Sequence, residues 1–320
     1  MKVIVTGVTG QDGYYMVQQL LSNGFDVLGL TSNLERAQAH FASNHTAHFS
    51  LTEFNYELTG EFSRVVEGYQ PNIVFNFAAK ATGQGMFDVP YEINRLNGGF
   101  VVDILEALRK SRRREDIVFC QASSSEMYGN VTETPQSEET PFKPKSPYGA
   151  AKLYAHNMVN IYRSIYGVRC CSAILYNHES VRRSMQFVTK KIANTAARIK
   201  LGQTDSITLG SLDAKRDWGY APEYVDAMFR MVCVDNVEDY VIASGHLNSV
   251  RDLCEVAFEY LDLNYQDFVQ SQTSQFRVSE SFNLHGCPEK IKEKLGWSAK
   301  KTVKEIMVEL VEYEIKCLSE

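Results

Sequence analysis

The chain has 320 residues, of which 44% are hydrophobic and 22% are charged, and its formal net charge is −6. This composition is ordinary for a soluble globular protein of one large or two modest domains, and the acidic balance excludes a general nucleic-acid binder. No apolar run approaches the ~18 residues of a membrane span, and residues 1–7 lack a signal-peptide pattern. The seven cysteines include no Cys-x-x-Cys pair, so we expect a cytoplasmic protein without a membrane partner.

The N-terminal segment has the pattern of a dinucleotide-binding unit. A β-branched run at residues 3–5 is followed by Gly7, Gly10 and Gly13, then by a helical pattern and a second strand-like run at 25–30. Glycines let the backbone approach a pyrophosphate, whose charge the helix N-terminus stabilises. The spacing G-x-x-G-x-x-G is weak by itself, but in this strand–loop–helix context it predicts a dinucleotide site.

The end of the second strand distinguishes NAD from NADP binding. Residues 30–36 read Leu-Thr-Ser-Asn-Leu-Glu-Arg, without an acidic residue directly after the strand to bind a ribose 2′-hydroxyl. Arg36 could meet a 2′-phosphate, although a solvated surface arginine explains it equally well. The segment favours NADP, and NAD is the alternative.

Strand-like and helical runs alternate through the first part of the chain. Residues 37–56 are polar and are interpreted as a loop, after which we predict a helix near 62–66, a strand over 72–79, a long helix over 93–108 and a strand over 116–120. This alternation predicts an α/β fold with a doubly wound parallel sheet of the Rossmann type. Its cofactor would lie at the carboxyl edge of the strands.

Polar residues with catalytic potential follow the strand at 116–120. Ser124 and Glu126 come soon after it, and beyond a proline-rich loop Tyr148 and Lys152 open a helical pattern. Residues four apart share a helix face, so Lys152 could lower the pKa of Tyr148 from about 10 towards neutrality and make it a general acid–base. Taken alone, the pair also fits an ordinary helix start with an exposed Tyr and Lys.

The second half predicts a sixth strand over 169–176, one more strand at 240–243, and mostly helical patterns after it. We therefore expect a dinucleotide-binding domain at 1–176, to which the strand near 240–245 returns, and a smaller, mostly helical substrate domain at 177–320. Basic residues concentrate at Arg182, Arg183, Lys190, Lys191, Lys215 and Arg216. They would suit a diphosphate, or they are scattered surface charges. No residues have a convincing metal-ligand spacing.

Several separated segments resemble a known family, the extended short-chain dehydrogenase/reductases, and within it the GDP-mannose 4,6-dehydratases. The similarity runs along nearly the whole chain, in segments 6–13, 121–126, 146–152, 177–180, 187–189, 212–219 and 294–297. It implies a lyase that converts a GDP-manno-configured sugar, above all GDP-mannose, to a 4-keto-6-deoxy product. Hydride moves internally through a bound nicotinamide cofactor, so no net redox occurs.

The resemblance also implies residue roles. Tyr148 is the base at the carbon 4 hydroxyl, Lys152 lowers its pKa and holds the nicotinamide ribose, and Ser124 hydrogen-bonds the carbon 4 oxygen. Glu126 is the base and then the acid at carbons 5 and 6. The cofactor residues, with Arg36, Tyr148 and Lys152, are Gly7, Gly10, Gln11, Asp12, Gly13, Glu57, Leu58 and Ala78. The GDP-sugar residues are Asn177, Glu179, Val188, Lys191, Arg216 and Arg277. The family further implies a homodimer or a homotetramer.

The chain departs from the family pattern around the cofactor and the sugar. Thr31-Ser32 replaces a pair of arginines, residues 80–83 replace Gln-Ser-His-Val, and Tyr56 replaces the glycine of a Gly-Asp-Leu motif. A GDP-heptose 4,6-dehydratase is therefore an alternative. A GDP-sugar 4-reductase or epimerase is a second alternative, against which Glu126 argues. A catalytically weak, cofactor-binding regulatory protein is a third, against which the intact Ser-Tyr-Lys set argues.

Overall fold

The computed structural model of the protein describes residues 1–42, 46–81, 85–131, 133–272 and 284–320. The strands of this part of the chain are β1 (Lys2–Thr6), β2 (Asp26–Thr31), β3 (Phe49–Glu53), β4 (Ile73–Asn76), β5 (Val118–Ala122), β6 (Cys170–Leu175), β7 (Asn177–Glu179), β8 (Ile207–Leu209), β9 (Lys215–Tyr220), β10 (Tyr240–Ile242), β11 (Leu247–Ser249) and β12 (Val269–Ser271). The helices are α1 (Gln11–Ser22), α2 (Leu34–His40), α3 (Glu61–Tyr69), α4 (Pro90–Asn94), α5 (Phe100–Lys110), α6 (Pro147–Tyr166), α7 (Val188–Lys200), α8 (Ala221–Val232), α9 (Val250–Glu259), α10 (Glu289–Leu295) and α11 (Val303–Ser319).

Seven of the described strands form one parallel sheet in the order β10-β6-β5-β4-β1-β2-β3. The strand order reverses between β1 and β4, and doubly wound sheets bind their ligands outside the carboxyl ends of the strands at such a point. The predicted fold class is confirmed. The late strand β10 lies beside β6, with Tyr240 opposite Ala173. The predicted domain boundary at residue 176 stays a prediction.

Helices cover both faces of this sheet, which explains why its inner strands are mostly apolar on both faces. On one face, α1 and α8 pack side chains such as Met16 and Met228 against the strands. On the other face, α5 and α6 contribute Ile104 and Val159. Burial on both faces makes each inner strand a short continuous apolar run, which is the signal that the sequence carries.

A second group of described elements forms a smaller assembly beside the carboxyl end of the sheet. It contains a three-stranded sheet (β11-β9-β7), a two-stranded sheet (β12-β8) and a third apolar core built from α7, α9 and α11. Helix α11 begins with a capping box, in which Thr302 and Glu305 each accept the other's backbone N–H. None of the helices in the described ranges is long and apolar enough to cross a bilayer.

Two elements differ from the sequence-based prediction. Residues 37–56 were predicted to be a loop, but they include the end of α2 and the edge strand β3, whose alternation of Phe49 and Leu51 with polar residues is too short to stand out. The helix predicted over 93–108 is divided into α4 and α5 by a π-helical turn at Arg95–Gly99. Two adjacent glycines, Gly98 and Gly99, lie in this turn.

Candidate active site

Ser124, Glu126, Tyr148 and Lys152 lie where β5 and α6 meet. Ser124 precedes a short 3₁₀ turn at Ser125–Met127, and its hydroxyl accepts the N–H of Glu126 at 3.2 Å. Helix α6 begins directly before Tyr148, because Pro147 occupies its first turn and the Ser146 hydroxyl accepts a backbone N–H as the N-cap. The sequence-predicted catalytic residues are therefore brought together.

The start of α6 is pressed against the turn that carries Glu126. A Cβ atom at Gly149 would lie 2.5 Å from the carbonyl oxygen of Glu126, which is closer than real Cβ contacts. A glycine beside Tyr148 is thus required for the approach of the two segments. The approach is close enough for the Glu126 charge to act on the Tyr148 phenol.

The electrostatics of the Tyr148–Lys152 pair differ from the prediction. Burial and, to a smaller extent, the Glu126 charge raise the pKa of Tyr148 to about 12, and hydrogen bonding with Ser124 acts in the opposite direction. Burial also lowers the pKa of Lys152 to about 8. The Lys152 ammonium donates to the Ala122 carbonyl at 2.8 Å and lies 5.7 Å from the centre of the Tyr148 ring. The predicted lowering of the Tyr148 pKa is therefore wrong for this state of the protein, because burial and the Glu126 charge outweigh the hydrogen bond with Ser124.

The loop between β1 and α1 has the shape that a dinucleotide diphosphate requires. Gly7 has a φ of +62°, and a Cβ atom there would lie 2.6 Å from the backbone nitrogen of Ala78. The loop is closed by a bond from the Gly10 N–H to the Gly7 carbonyl at 2.9 Å. Gly10 is also the N-cap of α1 and supplies no side-chain cap, so the helix start can receive an anion. These residues fit the cofactor that the sequence predicts.

Two further predicted cofactor residues connect this loop to the segment after β6. The Gln11 amide donates to the His178 carbonyl at 3.1 Å and accepts the Ser180 hydroxyl at 2.8 Å. Both carboxylate oxygens of Asp12 lie 3.0 Å from His178 Nε2, and His178 Nδ1 lies 2.7 Å from the Tyr176 carbonyl. Since both ring nitrogens face acceptors, the geometry favours an imidazolium paired with the Asp12 carboxylate. Sequence reasoning gave His178 no role of its own.

We expect His178→Gln to lower the free energy of unfolding by roughly 2–3 kcal/mol at pH 6, because it leaves Asp12 without its ionic partner. Burial disfavours both charges, but their attraction outweighs it and holds the pKa of Asp12 below 3.8 and that of His178 above 6.5. The pair's stabilisation is therefore present from about pH 4 to 6.5 and is lost as the pH rises through the raised pKa of His178. Urea unfolding at pH 6 and pH 9 measures this, and an equal loss at both values would contradict the ion pair.

The other predicted cofactor residues follow β2, β3 and β4 at the carboxyl edge of the sheet. Arg36 lies in the first turn of α2, directly beyond β2, and is exposed. Glu57 and Leu58 are exposed after β3, and Glu57 is paired with Arg95 of the π turn at 3.9 Å. Ala78 follows β4, and its N–H donates to the Thr6 hydroxyl at 3.1 Å. Their contacts with a cofactor remain predictions.

The predicted GDP-sugar residues fall into two groups. Asn177 begins β7 and Val188 begins α7, and both residues are half-buried in segments that follow β6. The side chains of Lys191 and Arg216 form hydrogen bonds within the protein. Lys191 donates to the Thr208 carbonyl at 2.8 Å, and Arg216 donates to the Lys215 carbonyl at 2.8 Å. Arg277 lies outside the described residues.

Glu179 is buried in the described structure. It is 1% exposed, and its carboxylate accepts the Thr189 hydroxyl at 2.6 Å and pairs with Arg183 at 3.1 Å. These contacts connect the end of β7 to α7. A contact of Glu179 with the GDP-sugar remains a prediction.

Asn97 is a further residue that sequence reasoning missed. It is completely buried in the π turn, where its side-chain amide accepts the Lys80 N–H at 2.8 Å and donates to the Lys80 carbonyl at 3.2 Å. This pair of bonds fixes the start of the segment that follows β4, one of the places where the chain departs from its family pattern. The sequence signal for this residue was its position directly before Gly98 and Gly99 within a helical pattern.

The comparisons agree with this architecture. A family profile described as GDP-mannose 4,6 dehydratase matches residues 4–310. GDP-mannose 4,6 dehydratase 2 of Caenorhabditis elegans is 37% identical over 98% of this chain and 88% of its own length, and GDP-mannose 4,6 dehydratase 2 of Arabidopsis thaliana is 37% identical over 98% and 86%. The crystal structure of dTDP-glucose 4,6-dehydratase from Bacillus anthracis in complex with NAD superimposes with a TM-score of 0.84 at 20% identity, covering 99% of this chain and 97% of that one. The chain belongs to the GDP-mannose 4,6-dehydratase family.

Proposed function

We propose that this protein is a lyase that removes one water from GDP-mannose and leaves the 4-keto-6-deoxy sugar on the nucleotide. Family membership supports the substrate, and one structural observation supports the chemistry. The turn at Ser125–Met127, which carries Glu126, lies in close contact with Gly149 at the start of α6, and this supports a role for the Glu126 carboxylate near Tyr148. A 4-reductase or epimerase has no step that needs this carboxylate.

The cofactor we propose is a nicotinamide dinucleotide, and we favour NADP over NAD. NAD-binding proteins have an acidic residue after β2 that binds the ribose 2′-hydroxyl, whereas this chain has Arg36 in the helix that follows β2. Gly7, Gly10 and the first turn of α1 would hold the diphosphate of the cofactor, and Lys152 its nicotinamide ribose. When bound, it supplies a hydride acceptor for carbon 4 and a hydride donor for carbon 6.

Tyr148 and Ser124 act at carbon 4. The Tyr148 oxygen takes the proton of the carbon 4 hydroxyl, and the Ser124 hydroxyl donates to the carbon 4 oxygen as it becomes a carbonyl. Tyr148 takes this proton as the tyrosinate, and since burial raises its pKa to about 12, only a small fraction of the protein without cofactor has this form at neutral pH. At the end of the reaction one proton returns to carbon 5, which replaces the proton that Glu126 removed, and Tyr148 is again a tyrosinate once it has released the proton it took from the carbon 4 hydroxyl.

Glu126 carries out the elimination. Once carbon 4 is a carbonyl, the proton on carbon 5 becomes acidic, and the Glu126 carboxylate removes it. The resulting carboxylic acid then protonates the carbon 6 hydroxyl, the carbon–oxygen bond breaks, and water leaves. One group thus serves as base and then as acid. The half-buried position of Glu126, in the turn next to the start of α6, supports this dual role.

We further propose a cytoplasmic homo-oligomer, either a dimer or a tetramer. The outer face of α6 supports self-association, because Tyr154, Ile161 and Ile165 are 46%, 44% and 70% exposed there. Sedimentation velocity measures the oligomer, and a monomer at micromolar concentration would contradict this part of the proposal.

Mass spectrometry of GDP-mannose incubated with the purified protein tests the function. We expect the nucleotide sugar to lose the mass of one water without added reductant and without net change in dinucleotide absorbance. A GDP-heptose offered in parallel tests the alternative substrate. If neither sugar changes mass while the dinucleotide stays bound, the dehydratase proposal is wrong and the regulatory alternative is favoured.

A further inference from the structure

The Tyr56 hydroxyl forms hydrogen bonds at the ends of two neighbouring strands, β1 and β2. A Rossmann-type sheet binds the adenosine of its cofactor near the ends of these two strands. The hydroxyl accepts the Gly7 N–H at 3.2 Å and donates to the Leu30 carbonyl at 2.9 Å. Gly7 is the first glycine of the loop after β1, and Leu30 is the penultimate residue of β2. Tyr56 itself belongs to neither strand, since it follows β3.

This hydroxyl continues the β1–β2 hydrogen-bond ladder beyond its last backbone pair. Thr6 lies opposite Leu30 in that ladder, and the N–H of Gly7 is the next donor along β1. From there the chain turns away at a φ of +62°, so the phenol bridges the gap that opens between the strands. Its ring is held edge-on by Phe54 and Phe100, with centroids 4.9 and 5.0 Å away.

Burial raises the pKa of Tyr56 to about 12, so its hydroxyl keeps the proton that it donates to Leu30. A neutral, ordered hydroxyl with one donor and one acceptor bond is fully used by these two backbone groups. The first glycine of the loop therefore has a fixed distance from the end of β2. Those two points lie on either side of the place where dinucleotide folds hold the adenosine ribose.

We propose that Tyr56 is a positioning residue for the adenosine half of the nicotinamide dinucleotide. The inference rests on the cofactor of the proposed function and adds a residue to it. The family pattern has a glycine at this position, whereas this chain has Tyr56. Its side chain holds the glycine loop after β1 at a fixed distance from the end of β2, the strand next to the ribose. Removing the hydroxyl leaves a buried N–H and a carbonyl without this partner and lets the loop relax.

The test is isothermal titration of the dinucleotide-free protein and its Tyr56→Phe variant with NADP. We expect Tyr56→Phe to raise the dissociation constant about tenfold, the effect of one buried group left without its partner. Titration with adenosine 2′,5′-bisphosphate should show the same loss, because the effect is on the adenosine half. Titration with GDP should show no change.

Tyr69 provides a matched control. Its hydroxyl donates to the Asp26 carbonyl at 2.9 Å, so it makes the same kind of bond to the same strand, β2, but at the opposite, amino end. Burial also raises its pKa to about 12. Tyr69→Phe removes the same atom and is expected to lower the melting temperature comparably, but to leave the affinity for NADP unchanged.

The outcomes separate the two proposals. Weaker binding of NADP and of the bisphosphate by Tyr56→Phe alone supports the inference. Unchanged binding by Tyr56→Phe, or an equal loss in Tyr69→Phe, overturns it and leaves the proposed function standing. Failure of the wild-type protein to bind any nicotinamide dinucleotide overturns the proposed function, and the inference with it.

Discussion

Replacing Glu126 by glutamine is expected to reduce formation of the 4-keto-6-deoxy product roughly 10³-fold, since general acid–base groups typically contribute 10²–10⁴-fold. The amide keeps the size of the side chain but can neither take the carbon 5 proton nor give it to the carbon 6 hydroxyl. Oxidation at carbon 4 depends on Tyr148 and should persist. In heavy water, the variant should therefore form the reduced dinucleotide, seen by its absorbance, without incorporating deuterium at carbon 5.

The same substitution at Glu139 is the control. Glu139 is exposed beyond the 3₁₀ turn, and none of the steps requires it. Glu139→Gln should keep wild-type turnover and deuterium incorporation. Undiminished product from Glu126→Gln would remove Glu126 from the mechanism and would reopen the reductase and epimerase alternatives.

Lys152→Met is expected to abolish most turnover while stabilising the protein freed of dinucleotide. Burial lowers the pKa of Lys152 from 10.5 to about 8, which corresponds to a cost of about 3 kcal/mol at neutral pH. The bond to the Ala122 carbonyl offsets about 1 kcal/mol of this, so the variant should gain about 2 kcal/mol. Turnover should fall about 100-fold or more, because the variant cannot hold the nicotinamide ribose.

The stability gained by Lys152→Met should decrease as the pH rises. Between about pH 8 and pH 10.5 the unfolded chain binds more protons at Lys152 than the folded chain, so the cost of burial disappears as the pH rises through this range. The advantage of Lys152→Met in urea unfolding should therefore be full at pH 7 and small at pH 10. A constant or reversed difference would contradict the buried ammonium.

Lys190 is the matched control for this substitution. It is as buried as Lys152, but it has an ionic partner in Glu314 and donates to the Val181 carbonyl at 2.8 Å. Lys190→Met leaves the buried Glu314 carboxylate uncompensated and should lower stability by about 3 kcal/mol. The same change at two buried lysines is thus expected to have opposite signs.

The sequence predicted those parts of the fold in which a short run of residues has a pattern that results directly from its place in the structure. Residues 3–5 are apolar without a break because β1 is covered on both faces, and the glycines after it are required by the loop itself. The spacing of Tyr148 and Lys152 is likewise a property of one helix. Each of these signals is contained within a few consecutive residues.

The parts that the sequence missed depend on contacts between distant residues. The raised pKa of Tyr148 results from burial by several elements, which no local pattern encodes. The sequence also does not show that the Glu179 carboxylate contacts Thr189 and Arg183. In the sequence, Tyr56 is only a departure from a family motif. Its hydrogen bond with Gly7 connects two residues that are 49 positions apart in the chain. Burial and pairing across the sheet, rather than composition, decide these roles.

In the proposed mechanism, hydride leaves carbon 4 and returns to carbon 6, and Glu126 removes water between these two steps. Conversion of GDP-mannose deuterated at carbon 4, followed by mass spectrometry and deuterium NMR of the product, follows the hydride itself. We expect a product that is lighter by one water and carries the deuterium at carbon 6. A product without deuterium, or a sugar that has kept its water and its label at carbon 4, would contradict this mechanism.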